Sequence, residues 1–218
     1  MATSRLVKDI IKDINLTLTE LREKELLRDE KGPSQILTTG NKMEISFSGK
    51  NDAGSIVYDK HITSSNMINT LLENHQYNIL FYDKGFIQAE FIVSGNNVIK
   101  ERLVFMKKHN KIWDAKEIEE YESIDADWFA EDFGVPIILR IDYAPDEHVE
   151  CNHAITHLTL SNHESCRIPM KGIVSFSEFV SFVLFHFYNI KLELSTWHFD
   201  NSETITELEK KMIHMNWL

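Results

Sequence analysis

Three apolar segments separated by two short turns restrict this chain to folds that contain an antiparallel sheet. The segments are residues 77–82, 86–93 and 98–106, and the separators are Asp83-Lys84-Gly85 and Gly95-Asn96-Asn97. Short loops rich in glycine and asparagine join neighbouring antiparallel strands. The pattern therefore predicts a three-strand antiparallel meander.

Alternating apolar and polar residues predict more strands on both sides of the meander. Residues 43–48 form one strand, residues 49–52 a turn, and residues 55–58 the expected partner strand. Residues 136–143 and 157–160 are two further strands. The apolar spacing of Met67, Ile68, Leu71 and Leu72 indicates a short helix between residue 58 and the meander.

Helical periodicity predicts three other helices. An amphipathic helix spans about residues 3–27, is capped by Thr3 or Ser4, and is stopped by Gly32 and Pro33. Ser175 with Glu178 forms a capping box that opens an apolar helix, and Thr204 with Glu207 opens a last helix that runs to about His214.

These elements predict a single α+β domain over residues 1–218. Its sheet is mainly antiparallel and contains the meander, and the long N-terminal helix and two C-terminal helices pack on the sheet.

The charge balance disfavours a protein that coats nucleic acid. The net charge is −11, whereas such proteins are usually basic. Nine acidic residues and one lysine fall within residues 114–132. This segment is either a solvated face or a docking face for a basic partner.

The expected compartment is the cytoplasm, without membrane contact. The N-terminus lacks the apolar core of a secretory signal, and two cysteines make no disulfide framework. The most apolar run, residues 173–190, contains Glu178 and His186 and is predicted to be a buried helix.

Residues of acid–base and metal chemistry concentrate between residues 142 and 167. The stretch holds four of the ten histidines and both cysteines. The candidate catalytic residues are His153, His157 and Arg167, with Asp142 or Glu150 orienting a histidine. We expect the two histidines and Arg167 to line one concave surface beside the strand that carries Asp142.

Neither a metal site nor a cysteine nucleophile is favoured in this stretch. His153 and His157 have a permitted zinc spacing, but on a strand they would lie about 13 Å apart. Acidic neighbours disfavour a thiolate at Cys151 or Cys166. No metal and no cofactor is therefore expected, and ordinary structural ion pairs remain an alternative to any site.

The one basic run, Lys107, Lys108 and Lys111, stands at the end of the meander. It is either a contact for a phosphate backbone or a solvated strand end.

The chain resembles the bacterial domain-of-unknown-function family 2290 over nearly its whole length. The resemblance is strongest where His153-x3-His157-Leu-Thr-Leu is followed by Cys166-Arg167-Ile-Pro169, and it includes the helix that ends in Phe187-Tyr188. It implies a bacterial protein of phage defence, because such proteins are associated with a helicase partner in two-gene defence units.

Three functions are compatible with these observations. The first is an adaptor or regulator of the helicase, which meets nucleic acid through its partner. The second is a small nuclease-type effector or toxin that uses the histidine and arginine cluster. The third is a structural protein, such as a homodimer, whose histidines perform no chemistry.

Overall fold

The computed structural model describes residues 3–58, 61–108, 136–161, 166–192, 194, 197–199, 203–212 and 214–215. Within them, nine strands form one antiparallel sheet: β1 Leu27–Glu30, β2 Pro33–Thr38, β3 Lys42–Phe47, β4 Ile79–Phe81, β5 Phe86–Ser94, β6 Asn97–Lys107, β7 Ile137–Tyr143, β8 Thr156–Leu160 and β9 Arg167–Pro169. Three α-helices accompany it: α1 Arg5–Glu23, α2 Ser64–Glu73 and α3 Phe176–Tyr188. The predicted α+β class is confirmed.

The order of the sheet is β1-β4-β5-β6-β7-β8-β9, and β2 and β3 join it where β3 pairs with β5. The predicted meander is β4-β5-β6, so that prediction is confirmed. Lys84 and Gly95 adopt positive φ angles of 63° and 61° in its two turns. Short hairpin turns require this left-handed backbone, which explains why these turns were readable from sequence.

The first helix begins as predicted and ends earlier than predicted. The Ser4 hydroxyl caps α1 by accepting a hydrogen bond from the amide of Val7. The helix ends at Glu23 rather than near Leu27, because Glu25 adopts a φ of 55° and turns the chain. Leu27 then enters β1, which pairs with β4.

The predicted partner of β3 is wrong. Residues 55–58 lie in a 3-10 helix, Asp52–Tyr58, and β3 pairs instead with β2 and β5. Gly40 and Asn41, with φ angles of 74° and 61°, form the turn between β2 and β3. The proline at the start of β2 marks the beginning of a strand here, a position that proline tolerates.

The helices α1 and α3 pack together on one face of the sheet and bury the main core. The Ser175–Glu178 capping box of α3 is confirmed, with Ser175 Oγ and Glu178 Oε2 each accepting from the other residue's amide. The core residues of the sheet alternate along its strands and include Ile87, Ala89, Phe91, Leu103, Phe105, Leu139, Ile141 and Leu158. This alternation sends the intervening residues to the opposite face.

The short helix α2 covers part of the opposite face, as a second and smaller core. Its residues Met67, Ile68 and Leu71 pack with Tyr77, which precedes β4, and with the strand residues Phe86, Val104, Met106 and Ile138. The polar residues described in the next subsection lie on this same face.

The last helix is a single 3-10 turn, Glu209–Lys211, rather than a helix from Thr204 to His214. The capping pair is Thr206 and Glu209, whose side chains accept from each other's amides. The Thr204 hydroxyl instead bonds to Thr156 Oγ1 and to the carbonyl of Met170. The sequence spacing is compatible with both the Thr204–Glu207 and the Thr206–Glu209 pair. The bond of Thr204 to β8 leaves Thr206 and Glu209 as the capping pair.

The C-terminal segment returns to the edge of the sheet. Met215 forms a parallel bridge with Met170, and the Met215 amide donates to the carbonyl of Pro169. The Glu209 carboxylate is fully buried and accepts from the amide of Cys151 in the loop before β8.

Lys107 is not available to contact a phosphate backbone, which corrects that prediction. Its side chain is 2% exposed, and its Nζ lies 2.6 Å from Asp83 Oδ2 on the face that α3 covers. Asp83 also accepts from the Tyr188 hydroxyl and the Gly85 amide. Lys108 is partly buried, and Lys111 lies outside the described residues, as does the acidic segment 114–132.

No helix among the described residues is long and apolar enough to cross a membrane.

The buried pair of Asp83 and Lys107 should make Lys107 important for stability. Lys107→Met leaves the Asp83 carboxylate buried without its cation, so we expect a loss of about 3–5 kcal/mol in the free energy of unfolding in urea. The double variant Asp83→Asn/Lys107→Met should recover part of this loss.

Lys100→Met is the matched control, because this lysine of β6 is only partly buried. It should change the free energy of unfolding by less than about 1 kcal/mol. Equal effects of Lys100→Met and Lys107→Met would contradict the buried pair.

Candidate functional site

Two rows of mostly polar residues cross the sheet on the face opposite α1 and α3. In the first row, Glu90 pairs with Arg102, Arg102 with Asp142, and Asp142 with His157. In the second row, Arg140 pairs with Thr159, and Thr159 with Arg167. We call these seven residues the polar sheet face: Glu90, Arg102, Arg140, Asp142, His157, Thr159 and Arg167.

Asp142 is the centre of this face and is held by two guanidinium groups. Its Oδ1 accepts from Arg102 Nε at 2.9 Å, and its Oδ2 accepts from Arg140 Nε at 2.5 Å. The residue is 5% exposed. Burial would raise the pKa of Asp142, but Arg102 and Arg140 outweigh it and lower the pKa, so the carboxylate stays ionised.

His157 is buried and neutral beside this carboxylate. It is 1% exposed, and its Nδ1 donates to the carbonyl of Ala154 at 2.9 Å. Its Nε2 lies 3.7 Å from Asp142 Oδ2, which is too long for a hydrogen bond. Burial lowers the pKa of His157 to about 4.

His153 lies against His157, which corrects the expected distance between them. Their ring centroids are 4.8 Å apart and the rings meet edge to face. The estimate of about 13 Å assumed one strand, but His153 precedes β8 and is bridged to Val149 in a loop. Burial and the nearby charge of Arg167 lower the pKa of His153.

Glu150 is exposed in the turn of this loop. The acidic group near His153 is Glu147 instead, with its Oε2 3.8 Å from His153 Nε2. Glu150 therefore has the least structural support among the predicted residues. Asp142, His153 and His157 lie together and Arg167 is on the neighbouring strand, but Asp142 and His157 are buried rather than lining the expected concave surface. Their catalytic roles stay predictions.

Four residues of the polar sheet face escaped prediction, and Glu90 is one of them. Arg102, Arg140 and Thr159 were not candidates, because the cross-strand register that aligns them with Asp142 and Arg167 is absent from the sequence. The spacing of Arg140 two residues before Asp142 was the available signal, since it places both on one face of a strand.

The first row continues toward β3 through a cluster of opposite charges. Lys50 Nζ contacts Glu44 Oε1 at 2.6 Å and also bonds to Glu90. Burial would lower the pKa of Lys50, but these two carboxylates outweigh it and raise the pKa. The Lys50 ammonium is therefore already neutralised by its neighbours.

The described residues contain no group of three or more histidine, cysteine, aspartate or glutamate side chains that could hold a metal ion. Cys151 is exposed and Cys166 partly buried, and both are free thiols. Among the described side chains, the arrangement can therefore bind anions through its arginines and fix a neutral histidine, rather than assemble a cation site.

A family model matches most of the chain. The family described as "Uncharacterized conserved protein (DUF2290)" matches residues 26–217. No curated protein and no solved structure matches the chain. The match covers the polar sheet face, its supporting loop and the C-terminal segment.

His157 should make stability depend on pH. An unfolded histidine has a pKa of about 6.5, whereas the pKa of His157 in the fold is about 4. The unfolded chain therefore binds a proton at His157 more readily than the folded chain does. The contribution of neutral His157 to the free energy of unfolding is complete above about pH 6.5 and is lost as pH falls toward 4. Between about pH 7 and pH 5 the loss is about 2 kcal/mol.

Urea unfolding of His157→Asn tests this dependence. Asparagine retains a donor for the Ala154 carbonyl but does not titrate, so the free energy of unfolding should vary less with pH than in the wild type. His186→Asn, at an exposed position of α3, should behave as the wild type. A wild-type pH dependence in His157→Asn would refute the assignment.

Proposed function

This chain belongs to the DUF2290 family, and from that membership we propose that it is a cytoplasmic adaptor in a bacterial system of phage defence. In this role it binds and regulates a helicase partner and meets nucleic acid through that partner. The resemblance to this family implies that the partner is a helicase.

The burial of Asp142 and His157 is the main reason to propose an adaptor rather than a nuclease. Both residues are 5% exposed or less, so a substrate has little access to either. Asp142 already accepts from two arginines, and the Nδ1 of His157 is bonded to a backbone carbonyl. A general base must reach the proton that it removes, directly or through one water.

The state of His157 gives a second argument, which concerns general-acid catalysis by this residue. A general acid must carry a proton at the working pH, but the pKa of about 4 leaves His157 neutral near pH 7. The geometry instead resembles that of a buried ion-pair network, which holds strands in register.

Exposed apolar side chains at the other end of the sheet favour a protein-binding role. Ile36 and Leu37 of β2 are 52% and 62% exposed, and Leu16 of α1 is 48% exposed. Leu16 and Gln35 line one groove, together with two lysines, Lys8 and Lys12. We place the helicase contact here, since apolar side chains rimmed by polar ones characterise protein interfaces.

The proposal predicts that the contact depends on β2. Ile36→Lys/Leu37→Lys should reduce co-purification with the co-encoded helicase at least tenfold, because it puts a charge on each face of β2, including the face that Leu37 shares with Gln35. Circular dichroism should show an unchanged fold, since both side chains are already exposed. Leu208→Lys/Met212→Lys is the matched control, because these residues are 49% and 42% exposed elsewhere.

A cleavage assay with the same purified proteins distinguishes the adaptor from the nuclease-type effector. The chain alone should cleave neither labelled DNA nor labelled RNA, with Mg²⁺, Mn²⁺, Zn²⁺ or chelator. Cleavage that His157→Ala abolishes in a folded protein would overturn the proposal in favour of the nuclease-type effector. Failure of the wild type to co-purify with the helicase would also contradict it.

A further inference from the structure

Two buried polar atoms in the second row have no hydrogen-bond partner among the described residues. They are Thr159 Oγ1 and Arg167 Nε, and their residues pair directly across β8 and β9. Thr159 is fully buried. Unsatisfied buried polar groups are rare in folded proteins because they have lost water without gaining a partner. Two on neighbouring residues point to an acceptor that binds between them.

The charge around Thr159 is positive. Arg140 and Arg167 flank it on the two neighbouring strands. Among the described carboxylates, Asp142 contacts this row, and it is shared between Arg140 and Arg102. Arg167 forms no ion pair with any described residue, and its charge contributes to the lowered pKa values of His153 and His157.

The donor set selects the chemistry of the ligand. An arginine Nε only donates, and a threonine hydroxyl can donate, so the ligand must accept hydrogen bonds and carry negative charge. The Cα atoms of Arg140 and Arg167 stand two strand spacings apart, or about 10 Å. Two long guanidinium side chains can close this distance on a tetrahedral oxyanion, whose geometry suits arginine.

We infer that Arg140, Thr159 and Arg167 form a binding site for a phosphate group. The ligand is inorganic phosphate or the terminal phosphate of a nucleotide. An internal phosphodiester has fewer oxygen atoms free to accept from three donors. This site does not depend on the helicase contact, which lies at β2.

Titration calorimetry at constant ionic strength tests the site with three probes. Inorganic phosphate or adenosine 5′-monophosphate should bind saturably with one site per chain. The affinities of the two probes show whether the site prefers inorganic phosphate or the terminal phosphate of a nucleotide. A thymidine dinucleotide without a terminal phosphate should not bind, and binding of this probe equal to that of the other two would overturn the inference.

Two variants assign the residues. Arg167→Gln should weaken phosphate binding about tenfold or more, because a charge-assisted bond is lost. Thr159→Val should weaken it several-fold while leaving the thermal midpoint without phosphate unchanged or higher, since it removes an unsatisfied hydroxyl. This second variant keeps the test valid if Arg167→Gln does not fold.

Arg5→Gln is the control for removal of one positive charge, because the Arg5 side chain is 92% exposed on α1. It should bind phosphate as the wild type does. Absence of saturable binding at millimolar phosphate, or wild-type affinity in both Arg167→Gln and Thr159→Val, would refute the site. Either result would leave the proposed adaptor role unaffected.

Discussion

The pairing register of β5 to β8 is the constraint on which the rest of the structure depends. It sets Arg102 opposite Asp142 and Asp142 opposite His157. Because side chains alternate between the faces of a strand, a slip of one residue would exchange the faces. The charged row would then enter the apolar core under α1 and α3. The register is therefore enforced from both sides, by apolar burial on one face and by charge pairing on the other.

Asp83 and Asp142 are buried carboxylates on opposite sides of the sheet, and each is satisfied differently. Asp83 combines one lysine with a tyrosine hydroxyl and a backbone amide on the helix side. Asp142 is clamped by two arginines on the opposite side. Buried charges are tolerated when they are paired and hydrogen-bonded. Arg167 differs from these groups because it is the cation of the polar sheet face that carries an unsatisfied buried atom.

Local signals made much of the fold readable from the sequence. The Ser4 and Ser175 caps and the turns around Lys84 and Gly95 depend on a few adjacent residues, and all were found where the sequence indicated them. The partner of β3 was misassigned because strand pairing is decided by tertiary contacts. For the same reason, Lys107 was taken for a surface residue, and the distance between His153 and His157 was estimated for an extended strand. The candidates Asp142, His157 and Arg167 were chosen by composition, whereas Arg102, Arg140 and Thr159 required the register.

The return of the C-terminal segment to β9 has a consequence for the behaviour of the protein in concentrated solution. Strand edges offer unpaired amides and carbonyls to other molecules and so promote aggregation. The bridge from Met170 to Met215 occupies part of this edge, and the buried Glu209 carboxylate anchors the segment to the loop before β8. Proteolytic removal of the segment that carries Glu209 and Met215 would uncover this part of the edge. A clipped preparation should then associate edge to edge, so the integrity of this short segment governs how long the protein stays monodisperse.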